Sequence, residues 1–282
     1  MSAQKYFLTG ASGGLGLELA RAILAKSHTV VAAVLRTDAM AELAREFGDR
    51  LVVERLDVTD PAQIRDVAAR HADVDVIINN AGGAVIGAME ELSDAEVKQQ
   101  LDLNLVGPIN VTRAFLPALR AKKSGRIVYI TSVGGRVGFA SGAMYHAAKF
   151  GLEGFAEATA QEIAEFGIHT LIIEPGSMKT NFQANIRWTQ ETDAYRNSAV
   201  GAVRRYIEEH GEANTAGDPV KIADAIYELT QQAEPPLRTA LGVDTFATLQ
   251  KAYSDSLKTL EAQKALAQSV AFEGKTGFMP NA

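Results

Sequence analysis

The 282-residue sequence contains no cysteine. That excludes disulfides, thiol nucleophiles and cysteine-ligated metals. Basic residues are in the minority, with 28 Lys and Arg against 34 Asp and Glu, for a formal charge of −6. Nucleic-acid binding is therefore not favoured, because phosphate contacts need a basic surface. No apolar run approaches the ~18 residues that mark a membrane-spanning helix. The opening Met1-Ser2-Ala3-Gln4-Lys5 runs into an apolar segment too short for a signal peptide. These absences predict a cytoplasmic protein with neither nucleic acid nor membrane as a partner. Internal repeats and low-complexity linkers are also missing, which favours one domain.

What is present is an alternation. Short apolar, β-branched runs predict strands at Tyr6–Thr9, Thr29–Leu35, Leu51–Arg55, Val74–Ile78, Ile127–Thr131 and His169–Glu174. Nearly continuous hydrophobic runs are what parallel strands buried on both faces require. Between them the spacing predicts helices at Leu15–Lys26, Asp38–Phe47, Pro61–His71, Ser93–Ala121 and Ala143–Phe166. Asp60 is a natural N-cap for the third, with Pro61 in its first turn. Strict alternation of this kind gives an α/β fold with a doubly wound parallel sheet and helices on both faces.

After Glu174 the pattern changes. Pro175-Gly176 breaks the chain, and residues 177–218 read as polar and irregular, with Phe182, Trp188, Tyr195 and Tyr206 scattered among them. A helix at Pro219–Gln231, a last strand at Arg238–Leu241 and a helix at Val243–Gln268 follow. Phe272–Ala282 is a tail punctuated by Gly and Pro.

Two local patterns carry chemistry. Thr9-Gly10-Ala11-Ser12-Gly13-Gly14-Leu15-Gly16 lies between the first strand and the first helix. Glycines there permit a tight turn and close approach of a ligand, and the helix N-terminus offers free N–H groups to a pyrophosphate. The run fits T-G-x-x-x-G-x-G rather than G-x-G-x-x-G. Because Gly13 is also glycine, it satisfies T-G-x-x-G-x-x-G as well. The second pattern is Tyr145-His-Ala-Ala-Lys149, with Ser132 thirteen residues before the tyrosine. Residues four apart share a helix face. An ammonium beside a phenol favours the phenolate and lowers a pKa that is otherwise ~10, as a general acid or base near neutral pH needs.

With these patterns the chain resembles the short-chain dehydrogenases/reductases of the classical type, and within them hydroxysteroid- and retinol-dehydrogenase-like members. The glycine turn is joined by Asn79-Asn80-Ala81-Gly82 after the fourth strand, Asn104 in the next long helix, Ser132 after the fifth strand, Tyr145 with Lys149, and Pro175-Gly176 after the sixth. The resemblance covers residues 5–245. The Asn-Asn-Ala-Gly run and the serine–tyrosine spacing favour the classical over the extended type. It implies a single NAD(P)-binding Rossmann domain over residues 1–282, with a substrate lid at about 177–218 and a C-terminal extension at about 245–282.

The resemblance implies a catalytic tetrad of Asn104, Ser132, Tyr145 and Lys149. Tyr145 would exchange the proton with the substrate oxygen. Lys149 would lower the phenol's pKa and bind the nicotinamide ribose. Ser132 would hold the substrate oxygen, and Asn104 would anchor a water. Cofactor contacts are expected from Gly10, Ser12, Gly14, Leu15, Gly16, Asp57, Val58, Asn80, Ala81, Gly82, Tyr145, Lys149, Pro175, Gly176, Met178 and Thr180. NAD-specific relatives place an acidic residue at the end of the second strand. Leu35 stands there, and Arg36 follows, able to pair with a 2′-phosphate through its planar fork. NADP(H) is thus expected over NAD(H), with NAD(H) still usable. Asp38 reads as a first-turn or N-cap residue of the next helix. His146 points off the Tyr145/Lys149 face, which suits a structural or substrate-rim role. No metal is expected.

The expected activity is that of an NADP(H)-dependent carbonyl reductase or secondary-alcohol dehydrogenase acting on a hydrophobic ketone or alcohol. The alternative is a non-catalytic NADP-binding redox sensor on the same fold, but such a protein usually loses the tyrosine or lysine. Members of the resembled family often pair through their two long helices, so the resemblance implies a homodimer or homotetramer formed through Ser93–Ala121 and Ala143–Phe166.

Overall fold

A computed structural model describes residues 3–180, 182, 185–211 and 215–275. The parts of the expected lid at 181, 183–184 and 212–214, and of the expected extension at 276–282, lie outside the described residues.

Seven strands form one fully parallel sheet. They are β1 (Lys5–Thr9), β2 (Thr29–Val34), β3 (Leu51–Arg55), β4 (Val76–Asn79), β6 (Gly125–Ile130), β7 (Ile168–Pro175) and β9 (Arg238–Leu241). Their order is β3-β2-β1-β4-β6-β7-β9. A second, two-stranded parallel sheet pairs β5 (Val85–Ile86) with β8 (Arg187–Trp188). Helices α1 (Gly14–Ala25), α2 (Ala41–Phe47) and α9 (Pro219–Gln231) belong to one face of the large sheet. Helices α3 (Pro61–Arg70), α5 (Gly107–Lys122) and α6 (Ala143–Ile163) cover the other.

Alternation along each strand divides the core. Tyr6 and Leu8 of β1 pack with Leu19 and Ile23 of α1 and Ile226 of α9, whereas Phe7 packs on the opposite side with Phe115 and Leu152. The Phe7 and Phe115 ring centroids are 4.5 Å apart. Each such side chain, fully buried, contributes roughly 1.5–3 kcal/mol relative to exposure. The order reverses between β1 and β4, and a crevice opens beyond their carboxyl ends, where α/β sheets bind ligands.

All seven strands expected from the sequence are present. Three expectations are refined. The long helix expected from Ser93 to Ala121 is two helices, α4 (Asp94–Leu101) and α5, joined by a π-helical turn at Asp102–Val106. The helix expected at Val243–Gln268 is α10 (Val243–Ala262) followed by α11 (Lys264–Ser269). The stretch expected to be irregular holds β8, α7 (Asp193–Arg196) and α8 (Ala199–His210). Beyond Tyr253 the C-terminal helices leave the body, and Leu257, Leu260 and Leu266 are exposed. Among the described residues, no helix is long and apolar enough to cross a membrane.

Candidate active site

The crevice at the reversal point is a cleft of about 790 Å³, in the range of small-molecule sites. Of the site residues expected from the sequence, every one but Arg36 lines it.

Its inner end is the glycine turn. Gly10 and Gly14 have φ of +68° and +52°, a left-handed backbone that glycine adopts without strain. Gly16 is packed so closely that an added Cβ would run into the Gly10 carbonyl oxygen and lie 2.6 Å from Asn80 Nδ2. The turn is stapled to the Asn80-Ala81 backbone. Asn80 N and Ala81 N each donate to Thr9 Oγ1 at 3.0 Å, and Asn80 Nδ2 donates to the Thr9 carbonyl at 2.9 Å. The first turn of α1 carries no acidic side chain, and its N-cap, Gly13, makes no side-chain cap. The turn thus offers backbone N–H groups and a positive dipole end in a cradle that side chains do not fill. These residues fit a dinucleotide pyrophosphate.

At the end of β2, Leu35 is 65% exposed and lines the cleft. Arg36 instead pairs with Asp38, Nη2 to Oδ2 at 2.7 Å, and both side chains are exposed. The guanidinium holds the Asp38 carboxyl below its usual range. Asp57 is oriented by Thr59, whose N and Oγ1 donate to Asp57 Oδ1 at 2.8 and 2.7 Å.

The outer end gathers the expected tetrad. Asn104 sits in the π-helical turn and is fully buried. Such turns are frequent at functional sites. Its Nδ2 donates to the Gly83 carbonyl at 2.9 Å and the Gln100 carbonyl at 3.1 Å, and its Oδ1 accepts from Gly83 N at 3.2 Å. Gly82 separates it from Lys149. A Cβ there would stand 2.9 Å from Asn104 Oδ1 and 3.8 Å from Lys149 Nζ. Ser132 ends the loop after β6, and its Oγ accepts from Gly134 N at 3.0 Å. Lys149 lies on α6, 5% exposed, with Nζ donating to the Ile130 carbonyl at 2.9 Å and 5.8 Å from the Tyr145 ring centroid.

Burial pulls the Lys149 ammonium down to about 8, against an opposing pull from Glu153. Burial also pushes the Tyr145 phenol up, and the Ser132 hydroxyl beside it pulls it back. The net direction differs from the lowering expected of a Tyr-x-x-x-Lys pair. Desolvation of the phenolate outweighs an ammonium that is engaged with a backbone carbonyl.

The walls beyond Tyr145 are apolar: Ile86, Val133, Phe139, Phe182, Ile186, Val203 and Ile207. His146 is at this rim. Its Nδ1 donates to the Gly134 carbonyl at 2.9 Å, and its ring is edge-on to Phe139 and Tyr145. Of the aromatics in the 177–218 stretch, Phe182 lines the cleft, while Trp188 stacks under the Arg204 guanidinium 4.7 Å away. Most of the wall from this stretch is aliphatic. Val203 and Ile207 are four apart on α8, a helical signal hidden in a polar run.

Two anchors were not visible in the sequence. Glu91 accepts from Thr192 N and Oγ1 at 2.8 and 2.9 Å with Oε1, and from Thr189 Oγ1 and Ala88 N at 2.9 and 3.1 Å with Oε2. Burial opposes its ionisation, but these bonds outweigh it and hold the carboxyl below its usual range. Glu91 thus fastens the segment after β8 to the loop before α4. Asp244, at the start of α10, accepts from Ser177 N at 2.9 Å and Ser177 Oγ at 2.8 Å, fixing the loop after Pro175-Gly176. Both partners are far apart in sequence, so no local motif announces them.

Comparison with known proteins agrees with this geometry. Residues 4–191 match a family model described as short chain dehydrogenase. The chain is 34% identical over 244 residues to the oxidoreductase BOA17 of Botryotinia fuckeliana, covering 85% of this chain and 89% of that protein. It is 31% identical over 246 residues to a 3-ketodihydrosphingosine reductase of Bacteroides thetaiotaomicron, covering 86% and 89%. Among solved structures, a short-chain dehydrogenase from Streptomyces avermitilis superposes with a TM-score of 0.87 at 36% identity, over 96% of this chain and all (100%) of that one. A metagenomic short-chain oxidoreductase in complex with NADP superposes with a TM-score of 0.67 at 27% identity, over 86% and 97%.

Proposed function

The chain belongs to the short-chain dehydrogenase family, and we propose that within it the protein is an NADP(H)-dependent carbonyl reductase and secondary-alcohol dehydrogenase for hydrophobic substrates. The observation that carries this reading is the placement of Ser132, Tyr145 and Lys149 in one cleft with an open glycine cradle at its other end.

Gly10, Gly14, Gly16 and the N-terminus of α1 would hold the pyrophosphate, Asp57 and Val58 the adenine end, and the Pro175–Thr180 loop the nicotinamide end. The nicotinamide supplies the hydride when bound. The chain's own groups manage the oxygen and its proton. Burial keeps the Tyr145 phenol protonated near neutral pH, the form needed to donate to a carbonyl oxygen as alkoxide charge develops. Ser132 Oγ, which accepts from Gly134 N, would donate to the same oxygen. Lys149 lies beneath the phenol and offsets that charge electrostatically. Asn104 holds the Gly83 backbone beside it. In the alcohol-oxidising direction Tyr145 would take the proton instead.

Ile186, Val203, Ile207, Phe139 and Phe182 wall the substrate end, and among the described lining residues Lys149 is the only lysine or arginine. That combination favours a neutral, apolar ketone over a carboxylate or phosphate. A relative described as a 3-ketodihydrosphingosine reductase supports a keto substrate. Preference for NADP(H) would come from Arg36 exchanging Asp38 for a 2′-phosphate, with NAD(H) accepted more weakly. We place the protein in the cytoplasm, as a homodimer or homotetramer paired through α4–α5 and α6, where Val106 and Phe150 are exposed.

The test is oxidation of NADPH, followed by its absorbance, with a panel of neutral apolar ketones against short polar and acidic ones. Turnover confined to the apolar ketones is expected. Turnover with none of them overturns the reading.

A further inference from the structure

A buried ionic cluster lies on the far side of Lys149, and the mechanism above does not use it. Glu153 of α6 and Glu174 near the end of β7 are each 3% exposed. Glu174 immediately precedes Pro175-Gly176. Arg238 of β9 donates Nε to Glu153 Oε2 at 3.1 Å and Nη2 to Glu157 Oε2 at 2.7 Å. Arg136, just beyond the Ser132 turn, donates Nε to the Tyr253 hydroxyl of α10 at 3.0 Å. Gly135 makes room for the cluster. A Cβ there would stand 3.0 Å from Glu153 Cγ and 3.2 Å from the Lys149 carbonyl oxygen.

Each buried carboxyl has an unpartnered Oε1, but Glu153 also accepts from a guanidinium through Oε2. Glu174 Oε1 is 3.8 Å from both Arg136 Nε and Arg238 Nε and has no hydrogen-bond partner. Burial without a hydrogen-bond donor pushes the Glu174 carboxyl up. Glu153 is the member fixed by a guanidinium. It is four residues past Lys149 and so on the same face of the helix.

We propose that Glu153 is a positioning residue for the reaction: its carboxylate, fixed by Arg238, supports the Lys149 ammonium electrostatically from the same face of α6. The inference rests on the oxidoreductase reading above. The directions of ionisation agree with it. Burial, and then the neighbouring Glu153, push the Glu174 carboxyl up. Burial pulls Lys149 down to about 8, and Glu153 pulls it back. The charged and titratable groups around the pair are Tyr145 and Glu157 on α6, Arg136 from the loop, Glu174 on β7, Arg238 on β9 and Tyr253 on α10. Of these and Glu153, only Glu153 exerts a resolved charge effect on Lys149. Because burial already pulls Lys149 down to about 8, a modest loss of support changes its charge just above neutral pH.

The test is the pH profile of kcat/KM for ketone reduction in wild type, Glu153→Gln and Glu153→Asp, with NADPH affinity and Tm as controls. In Glu153→Gln the alkaline limb should move toward acid by about one unit, the low end for loss of a nearby opposite charge. That amounts to about a fivefold loss near pH 8, approaching tenfold at higher pH, and little near pH 6. Glu153→Asp should recover most of it. An unmoved limb, or an equal loss at all pH values, overturns the proposal. A second readout needs no turnover: NMR titration of the Lys149 ε-carbon, assigned with Lys149→Met, should show the same acid shift in Glu153→Gln. Wild type without turnover on any ketone would count against the functional reading alone, and an unchanged NMR titration against this inference alone.

Discussion

Replacing Glu91 by Gln removes one of four acceptor sites that fasten the segment after β8. Each carboxylate oxygen receives one backbone N–H and one hydroxyl, Thr192 N and Oγ1 on one side and Ala88 N and Thr189 Oγ1 on the other. An amide must turn its NH2 toward one side. The hydroxyl there can rotate and accept, but the backbone N–H cannot. That stranded donor, with the lost charge assistance of the remaining bonds, costs about 2–3 kcal/mol at this partly exposed site. Local opening should become about 30- to 150-fold more frequent. Hydrogen exchange reads this directly. The amides of Arg187 and Thr189, bonded to the Ala84 and Ile86 carbonyls at 3.0 Å, should exchange faster by that factor, while Phe7 and Ile77 in the central sheet should not change. Because hydrogen bonding holds the Glu91 carboxyl below the usual 4.5 of a glutamate, its contribution is present above that pH and lost as pH falls through the lowered pKa. Unchanged exchange at Arg187 and Thr189 would show that Glu91 does not fasten this segment.

Gly16→Ala drives a Cβ into the Gly10 carbonyl oxygen. With backbone as the obstacle, overpacking costs about 3 kcal/mol of stability and is relieved only by shifting the turn. NADPH titration should show clearly weaker binding, and an unchanged Kd would remove the turn from the cofactor site. Arg36→Ala should lower kcat/KM for NADPH about tenfold and leave NADH nearly unchanged. Because Arg36 must leave Asp38 to meet a phosphate, Asp38→Asn should strengthen NADPH binding. Equal effects on both cofactors would refute the strand-end reading.

The parts legible in the sequence are those governed by local rules. Buried parallel strands read as apolar runs, and the seven strands lie where those runs are. The glycine turn, Asn80-Ala81-Gly82, Ser132 and Tyr145 with Lys149 are local patterns, and the topology brings them to one cleft. What stayed hidden depends on partners distant in the chain. Strands of two residues, β5 and β8, carry no periodicity. The π-helical turn at Asp102–Val106 is held by Asn104 bonding to Gly83, 21 positions away. Glu91 meets Thr189 and Thr192 across 98 and 101 positions, and Arg238 meets Glu153 across 85. The direction of the Tyr145 shift was also hidden, because spacing reports a neighbouring charge but not the depth of burial.

The central claim is that Tyr145 exchanges the proton in a nicotinamide-dependent reduction. Its most direct test is single-turnover NADPH oxidation with an apolar ketone in wild type and Tyr145→Phe, with NADPH affinity measured alongside. The variant keeps the ring and loses the donor. The account predicts a fall in the chemical step of at least ~10², the low end for general acid–base catalysis, with NADPH affinity retained. A variant that keeps more than about a tenth of the wild-type rate for that step would contradict the claim.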